Sequence, residues 1–191
     1  MLGPFLLATA MTSTPSSPTL AQFEAVLARH DSATLALEEW CALRGLAAPA
    51  SITARSTPES DIPASDSLRA HLAPTADETI ALRHVELRCG ATILSVAWNW
   101  YVPQRLTPDM NTILATTDRP FGKVVAPLSF RREPIERVLG PADNCPVDTI
   151  STHRARLILP DGRPFSYLVE CYTPANLAPA PQDAMPPGSS A

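Results

Sequence analysis

The tightest constraint on the fold is one stretch, THRARLILPDGRPFSYLVECYT (152–173), which reads as a β-hairpin. Asp161-Gly162 supplies the turn, since an Asp-Gly pair tolerates the positive φ that a tight hairpin demands. A second pair of strand-like runs, TIALRHVELRC (79–89) and TILSVAWNWYV (92–102), is joined by a short link containing Gly90. An isolated hairpin is marginal in water, so these strands need each other or a layer of helices.

Helices are indicated nearby. In LAQFEAVLARHD (20–31), Phe23, Val26 and Leu27 share one helical face. Asp31 or Ser32 offers an N-cap to a second helix, SATLALEEWCALRGL (32–46), with Gly45 as its stop. SITAR (51–55) reads as a short strand, and SDSLRAHL (65–72) as a short helix capped by Ser65 or Asp66. In LTPDMNTIL (106–114), Thr107, Pro108 and Asp109 form a helix start, and DRPFGKVV (118–125) looks like another. Helices mixed with antiparallel hairpins predict an α+β class: a mainly antiparallel sheet with helices packed on it.

The chain of 191 residues suffices for one domain with a real core, expected over 20–177. Residues 1–19 read as a leader-like or disordered segment, and 178–191 as a disordered Pro-rich tail; there are 21 prolines against 7 glycines. The apolar run Phe5–Ala10 lacks the basic region of a secretory signal, and Met11 offers an alternative start. The expected location is cytoplasmic, with a periplasmic or secreted one as the alternative if that run is a signal. No segment approaches the ~20 apolar residues of a membrane span. A net charge of −4 gives no footprint for a nucleic-acid backbone. Cys41, Cys89, Cys145 and Cys171 show no CxxC spacing and read as four small buried thiols, although their even number permits disulfides in an exported protein. His30, His71, His84 and His153 are scattered, so no metal is expected, and no phosphate-cradling or nucleophile-elbow motif occurs. No cofactor is implied.

Two charges interrupt the apolar strands. Glu170 shares a strand face with Leu168 and Tyr172, and a carboxylate there is costly unless something pairs with it or uses it. Arg83 shares a face with Ala81, Val85 and Leu87, and keeps its charge in nearly any environment. The two could form a buried ion pair or flank a pocket. Trp98 and Trp100 share one face and suit core or interface packing, while Asn99 faces the other way with Ala97 and Tyr101. Gly122 suits a close approach of backbones. Arg131 and Arg132 are adjacent and read as solvated.

LRHVEL (82–87), NWYVP (99–103), RPFGKVV (119–125) and RARLILPDGRPFSYLVECYTPA (154–175), in this order, resemble the chorismate lyase family over residues ~75–177. The resemblance implies a chorismate lyase-like fold and conversion of chorismate to 4-hydroxybenzoate and pyruvate, a reaction of ubiquinone biosynthesis. It implies that Arg83 and Glu170 are the catalytic pair, Arg83 holding the ring carboxylate and Glu170 facing the ring hydroxyl. Asn99 stands where the lyases carry a second inward arginine. Val85, Leu114, Phe121 and Leu168 are candidates for the apolar wall of a substrate site. The same fold resemblance extends to the UTRA ligand-sensing domains of GntR-type regulators, which bind effectors and do no chemistry. Three readings therefore stand: a lyase, a non-catalytic binder of an aromatic or other small carboxylate, or a structural Arg83–Glu170 pair with no pocket. The expected partner is a small aromatic or cyclic carboxylate, with no nucleic acid and no integral membrane segment, and the chain is expected to be a monomer.

Overall fold

The computed structural model describes residues 17–57, 62–142 and 144–179. The expected leader-like segment and Pro-rich tail fall, save for their innermost residues, outside that range.

The local signals at the start of the domain are realised. Thr19 and Gln22 form a capping box at the head of α1 (Leu20–Leu27), whose buried face is Phe23, Val26 and Leu27. Ser32 caps α2 (Ala33–Arg44), and Gly45 ends it at φ 57°, a conformation glycine adopts without penalty. β1 (Ile52–Ser56) and α3 (Asp66–Leu72) follow. β2 (Ala81–Cys89) and β3 (Thr92–Tyr101) form the first hairpin. The Thr107 hydroxyl caps α4 (Pro108–Thr116), and a short α5 (Phe121–Val125) comes next. β4 (Arg131–Leu139), β5 (Ser151–Ile158) and β6 (Pro164–Tyr172) complete the chain. Gly162 takes φ 87° in the turn of the last hairpin, inside a loop longer than two residues.

The six strands form one antiparallel sheet in the order β1-β2-β3-β6-β5-β4. Two meanders thus meet where β3 pairs with β6. β4 is a strand the sequence reading left unassigned. Its residues are mostly charged and it contains Pro134, which cannot donate to a ladder. Both features are tolerated because β4 is an edge strand, paired only with β5.

The sheet's two faces are covered unequally. Phe23, Leu37, Trp40 and Cys41 of α1 and α2 pack with Val85, Leu87, Leu94, Ala97 and Tyr172 on one face. Phe23 sets its ring against Trp40 and Tyr172, with centroids 5.2 and 5.1 Å away. On the same side, α4 and α5 contribute Met110, Leu114, Phe121, Val124 and Val125 to a cluster with Leu157, Phe165 and Leu168. The opposite face carries Trp98, Trp100, Tyr167 and Val169, and α3 covers part of it through Leu68 and Leu72. Trp98 and Trp100 are core residues, and the Trp100 indole donates to the Ile62 carbonyl at 3.2 Å.

The expectation of four free thiols is corrected. Cys41 is bonded to Cys89, linking α2 to β2, and Cys145 to Cys171, linking the β4–β5 loop to β6. The Cα separations of 6.1 and 5.6 Å lie in the range a disulfide spans. Spacing along the chain carried no sign of either pairing, because both join segments that meet only through the sheet.

Candidate functional site

Register brings the chemistry-bearing residues to the helix-covered face. Arg83 lies opposite Asn99, and Asn99 opposite Leu168; Val85 lies opposite Ala97, and Ala97 opposite Glu170. These side chains form two adjacent rows across three strands. Over them lies a small cavity of about 40 Å³, lined by Val85, Asn99, Phe121, Leu168 and Glu170 among others. Its volume is roughly that of one water molecule. The first turn of α2 closes it from above with Ser32, Ala33 and Thr34. Gly122 of α5 permits that closure, since a Cβ there would stand 2.3 Å from the Ser32 hydroxyl. Leu114 is buried beside Phe121 in the α4–α5 cluster but does not line the cavity.

Glu170 is 3% exposed and is held from two sides. Arg132 grips it with both terminal nitrogens, Nη2 to Oε2 at 2.5 Å and Nη1 to Oε1 at 3.3 Å. The Tyr172 hydroxyl donates to Oε2 at 3.0 Å. Arg132 is therefore not the solvated residue expected; its side chain is only 12% exposed. Burial would lower its pKa, but Glu170, together with Tyr172 and Asp31, outweighs burial and raises it. Burial, with Glu170 close by, raises the Tyr172 phenol well above its ordinary value. The network continues outward. His153, opposite Glu170 on β5, contacts Glu24 of α1 at 3.0 Å, and the Ser151 hydroxyl donates to Glu24 at 2.6 Å. Burial would raise the Glu24 pKa, yet the bonds from His153 and Ser151 prevail and lower it.

Arg83 and Glu170 share the face but do not bond, so the direct ion pair allowed by the sequence does not form. Arg83 donates to the carbonyls of Arg119 and Thr117, both at 3.0 Å, and fastens the loop before α5. Its Nε is buried without a partner. Burial lowers its pKa, opposed by the nearby Tyr101 and Asp118. Asn99 accepts from the Ser166 hydroxyl through Oδ1, while its Nδ2 donor is buried with no partner. The cavity thus presents an unused amide donor, the guanidinium of Arg132 and the head of a helix, set in walls of Val85, Leu87, Phe130, Leu157 and Leu168. These three features favour an anionic or acceptor group, against the Asp31 and Glu170 carboxylates that line the same space.

Arg132 escaped the sequence reading because β4 did. Once β4 is paired, Arg132 lies opposite Leu157, and Leu157 opposite Ser166, which shares the face of Leu168 and Glu170 on β6 and so sets Arg132 on this face. A larger opening of about 610 Å³ lies on the opposite face over Trp98, Trp100 and Tyr167, away from Asn99, Glu170 and Arg132. Among the described residues, no group of three or more His, Cys, Asp or Glu could hold a metal ion. No described helix is long and apolar enough to cross a membrane.

A six-stranded antiparallel sheet with helices over one face and a small cavity beneath them defines a chorismate lyase-like fold, of the kind found in UTRA effector domains. PhnF from Mycobacterium smegmatis superposes with a TM-score of 0.55 at 13% identity, covering 78% of this chain and 66% of that one. The effector domain of PhnF alone gives a TM-score of 0.52 at 14% identity, covering 75% of this chain and 88% of the domain. The chain spans about two thirds of full-length PhnF, and the likeness is one of fold. No family model matches the chain. The protein y4mC of Sinorhizobium fredii is 40% identical over 173 residues, covering 81% of this chain and 73% of y4mC. The chain belongs to the family of y4mC.

Proposed function

We propose that this protein is a non-catalytic binding domain for a small carboxylate, with the carboxylate seated in the cavity under α2. The observation that carries this reading is the Asn99 side chain, 4% exposed, whose Nδ2 donor is buried at the cavity with nothing to bond. An orphaned buried donor costs about 1–3 kcal/mol, a deficit that a bound acceptor would remove. The first turn of α2 adds backbone N–H groups without intrahelical partners, and Arg132 adds a charge.

Two observations favour a binder over the chorismate lyase of the sequence reading. Arg83, which would hold the ring carboxylate, gives two of its donors to backbone carbonyls, and Glu170 is gripped by Arg132 and Tyr172. The two disulfides support maturation in an oxidising compartment, such as a periplasm, whereas chorismate is a cytoplasmic metabolite.

The test is to mix the purified, disulfide-bonded protein with chorismate and with 4-hydroxybenzoate. Calorimetry reads binding and chromatography reads product. The expected result is saturable binding of 4-hydroxybenzoate, lost in Asn99→Leu, with no turnover of chorismate. Release of 4-hydroxybenzoate and pyruvate, abolished in Glu170→Gln, would restore the lyase reading.

A further inference from the structure

The cavity under α2 is too small for a whole organic ligand, but a second opening lies beside it. A cleft of about 500 Å³ runs between α1 and the β4–β5 edge, lined by Arg29, His30, Arg132, Arg137, His153 and Arg154 among others, with Glu24, Asp31 and Glu136 also present. That volume is within the usual range of small-molecule sites. Arg132 and Asp31 line both spaces. The backbone of Arg132 is anchored, since its N–H donates to Asp31 Oδ1 at 2.9 Å. Its side chain bridges to Glu170, on the cavity side. Arg132 and Asp31 thus stand between cavity and cleft, and of the two the Arg132 side chain is the one tied across to Glu170.

We infer that the Arg132–Glu170 pair is a latch opened by the ligand: an incoming carboxylate takes the Arg132 fork from Glu170, enters the cavity, and leaves the body of the ligand in the cleft. This rests on the carboxylate reading of the cavity and adds its entry route and its selectivity. The exchange conserves the pairing of Arg132, because one carboxylate replaces another in a bidentate contact. Arg132 has donors to share, since its guanidinium makes two hydrogen bonds and carries five N–H groups. Glu170 keeps the Tyr172 hydroxyl when Arg132 leaves. A neutral ligand cannot compete for Arg132, because breaking the pair would leave two uncompensated charges. The latch thus selects anions and holds the cavity shut until one arrives. Arg29 and Arg137 line the cleft in ion pairs with Glu39 and Glu24, so the approach offers further paired arginine forks rather than a field of free positive charge.

The test uses the disulfide-bonded protein and two probes, 4-hydroxybenzoate and its neutral analogue 4-hydroxybenzamide, with wild type, Glu170→Gln and Arg132→Gln. Glu170→Gln keeps an acceptor for Tyr172 and removes the competitor, so 4-hydroxybenzoate should bind it about tenfold more tightly than wild type. Arg132→Gln should weaken 4-hydroxybenzoate on the order of 30-fold or more. The amide should bind all three proteins weakly and alike. Weaker 4-hydroxybenzoate binding to Glu170→Gln would overturn the latch, because Glu170 would then be a ligand contact. A readout without ligand separates this from the carboxylate reading itself: phenylglyoxal labelling of Arg132, followed by peptide mass spectrometry. The latch predicts several-fold faster labelling in Glu170→Gln than in wild type, with circular dichroism unchanged. Equal labelling would sink the latch even if the carboxylate binds. Faster labelling with no binding of either probe to any variant would sink the carboxylate reading and with it opening by a carboxylate, leaving only an Arg132 side chain that Glu170 shields.

Discussion

Among the described residues, two buried arginine–carboxylate pairs stand out, and they are built differently. Arg105, in the turn after β3, meets Glu78 with Nε at 2.8 Å and Nη2 at 2.5 Å. It also donates to the carbonyls of Leu72, Ala73 and Pro164. These five bonds match the five donors of a guanidinium, so Arg105 has nothing left to offer. Arg132 makes two side-chain bonds, both to Glu170. The first pair ties α3, the segment after it and the start of β6 into one corner. The second borders a cavity on one side and a cleft on the other. A saturated arginine is a staple, and an unsaturated one between two spaces is a moving part.

The comparison breaks most visibly through stability. Replacing the Arg105 pair with Arg105→Met and Glu78→Gln strips the donor from the Leu72 and Pro164 carbonyls as well as the ion pair. The expected loss is about 3 kcal/mol, read as a lower urea midpoint at unchanged slope. A loss below about 1 kcal/mol would show that the corner is not a staple.

Acid sharpens the same point. The hydrogen bonds from Arg105, helped by Thr75 and opposed by burial, hold the Glu78 carboxyl down at about 2. An unperturbed glutamate titrates near pH ~4.3, so the folded value is the lower one. Its contribution to stability is present in full above that unfolded value and is lost as pH falls toward 2. The stability advantage of wild type over Glu78→Gln should shrink steadily when urea midpoints are compared from pH 5 down to 2. An advantage constant over that window would mean that the pair does not hold the carboxylate ionised.

The smallest effect belongs to the latch. Arg132→Met with Glu170→Gln removes both charges, keeps an acceptor for Tyr172 and strips no carbonyl of its donor. Stability should change by no more than about 1 kcal/mol, since replacing a whole buried pair is often neutral. A loss matching that of the Arg105 double variant would erase the distinction between the two pairs.

Much of the architecture was legible in the chain. The Thr107-Pro108-Asp109 start, the Gly45 stop and the two hairpins appear where local chemistry put them, because caps and turns depend on residues a few positions apart. Alternation grouped Arg83 with Val85, Asn99 with Ala97, and Glu170 with Leu168 within their own strands, and the register then set all three groups on one face. β4 was illegible, because an edge strand needs neither an apolar face nor every ladder donor, and so Pro134 and its charges hid it. With β4 went Arg132.

From the chain alone it follows that the protein folds as an antiparallel sheet with helices, with a carboxylate buried in its last strand. Short-range periodicity and capping carry that information. Which group answers Glu170 depends on long-range packing. The same holds for the pairing of the cysteines and the commitment of Arg83 to the carbonyls of Thr117 and Arg119. Each joins segments far apart in the chain, and a buried charge takes whichever partner the packing brings within hydrogen-bond reach.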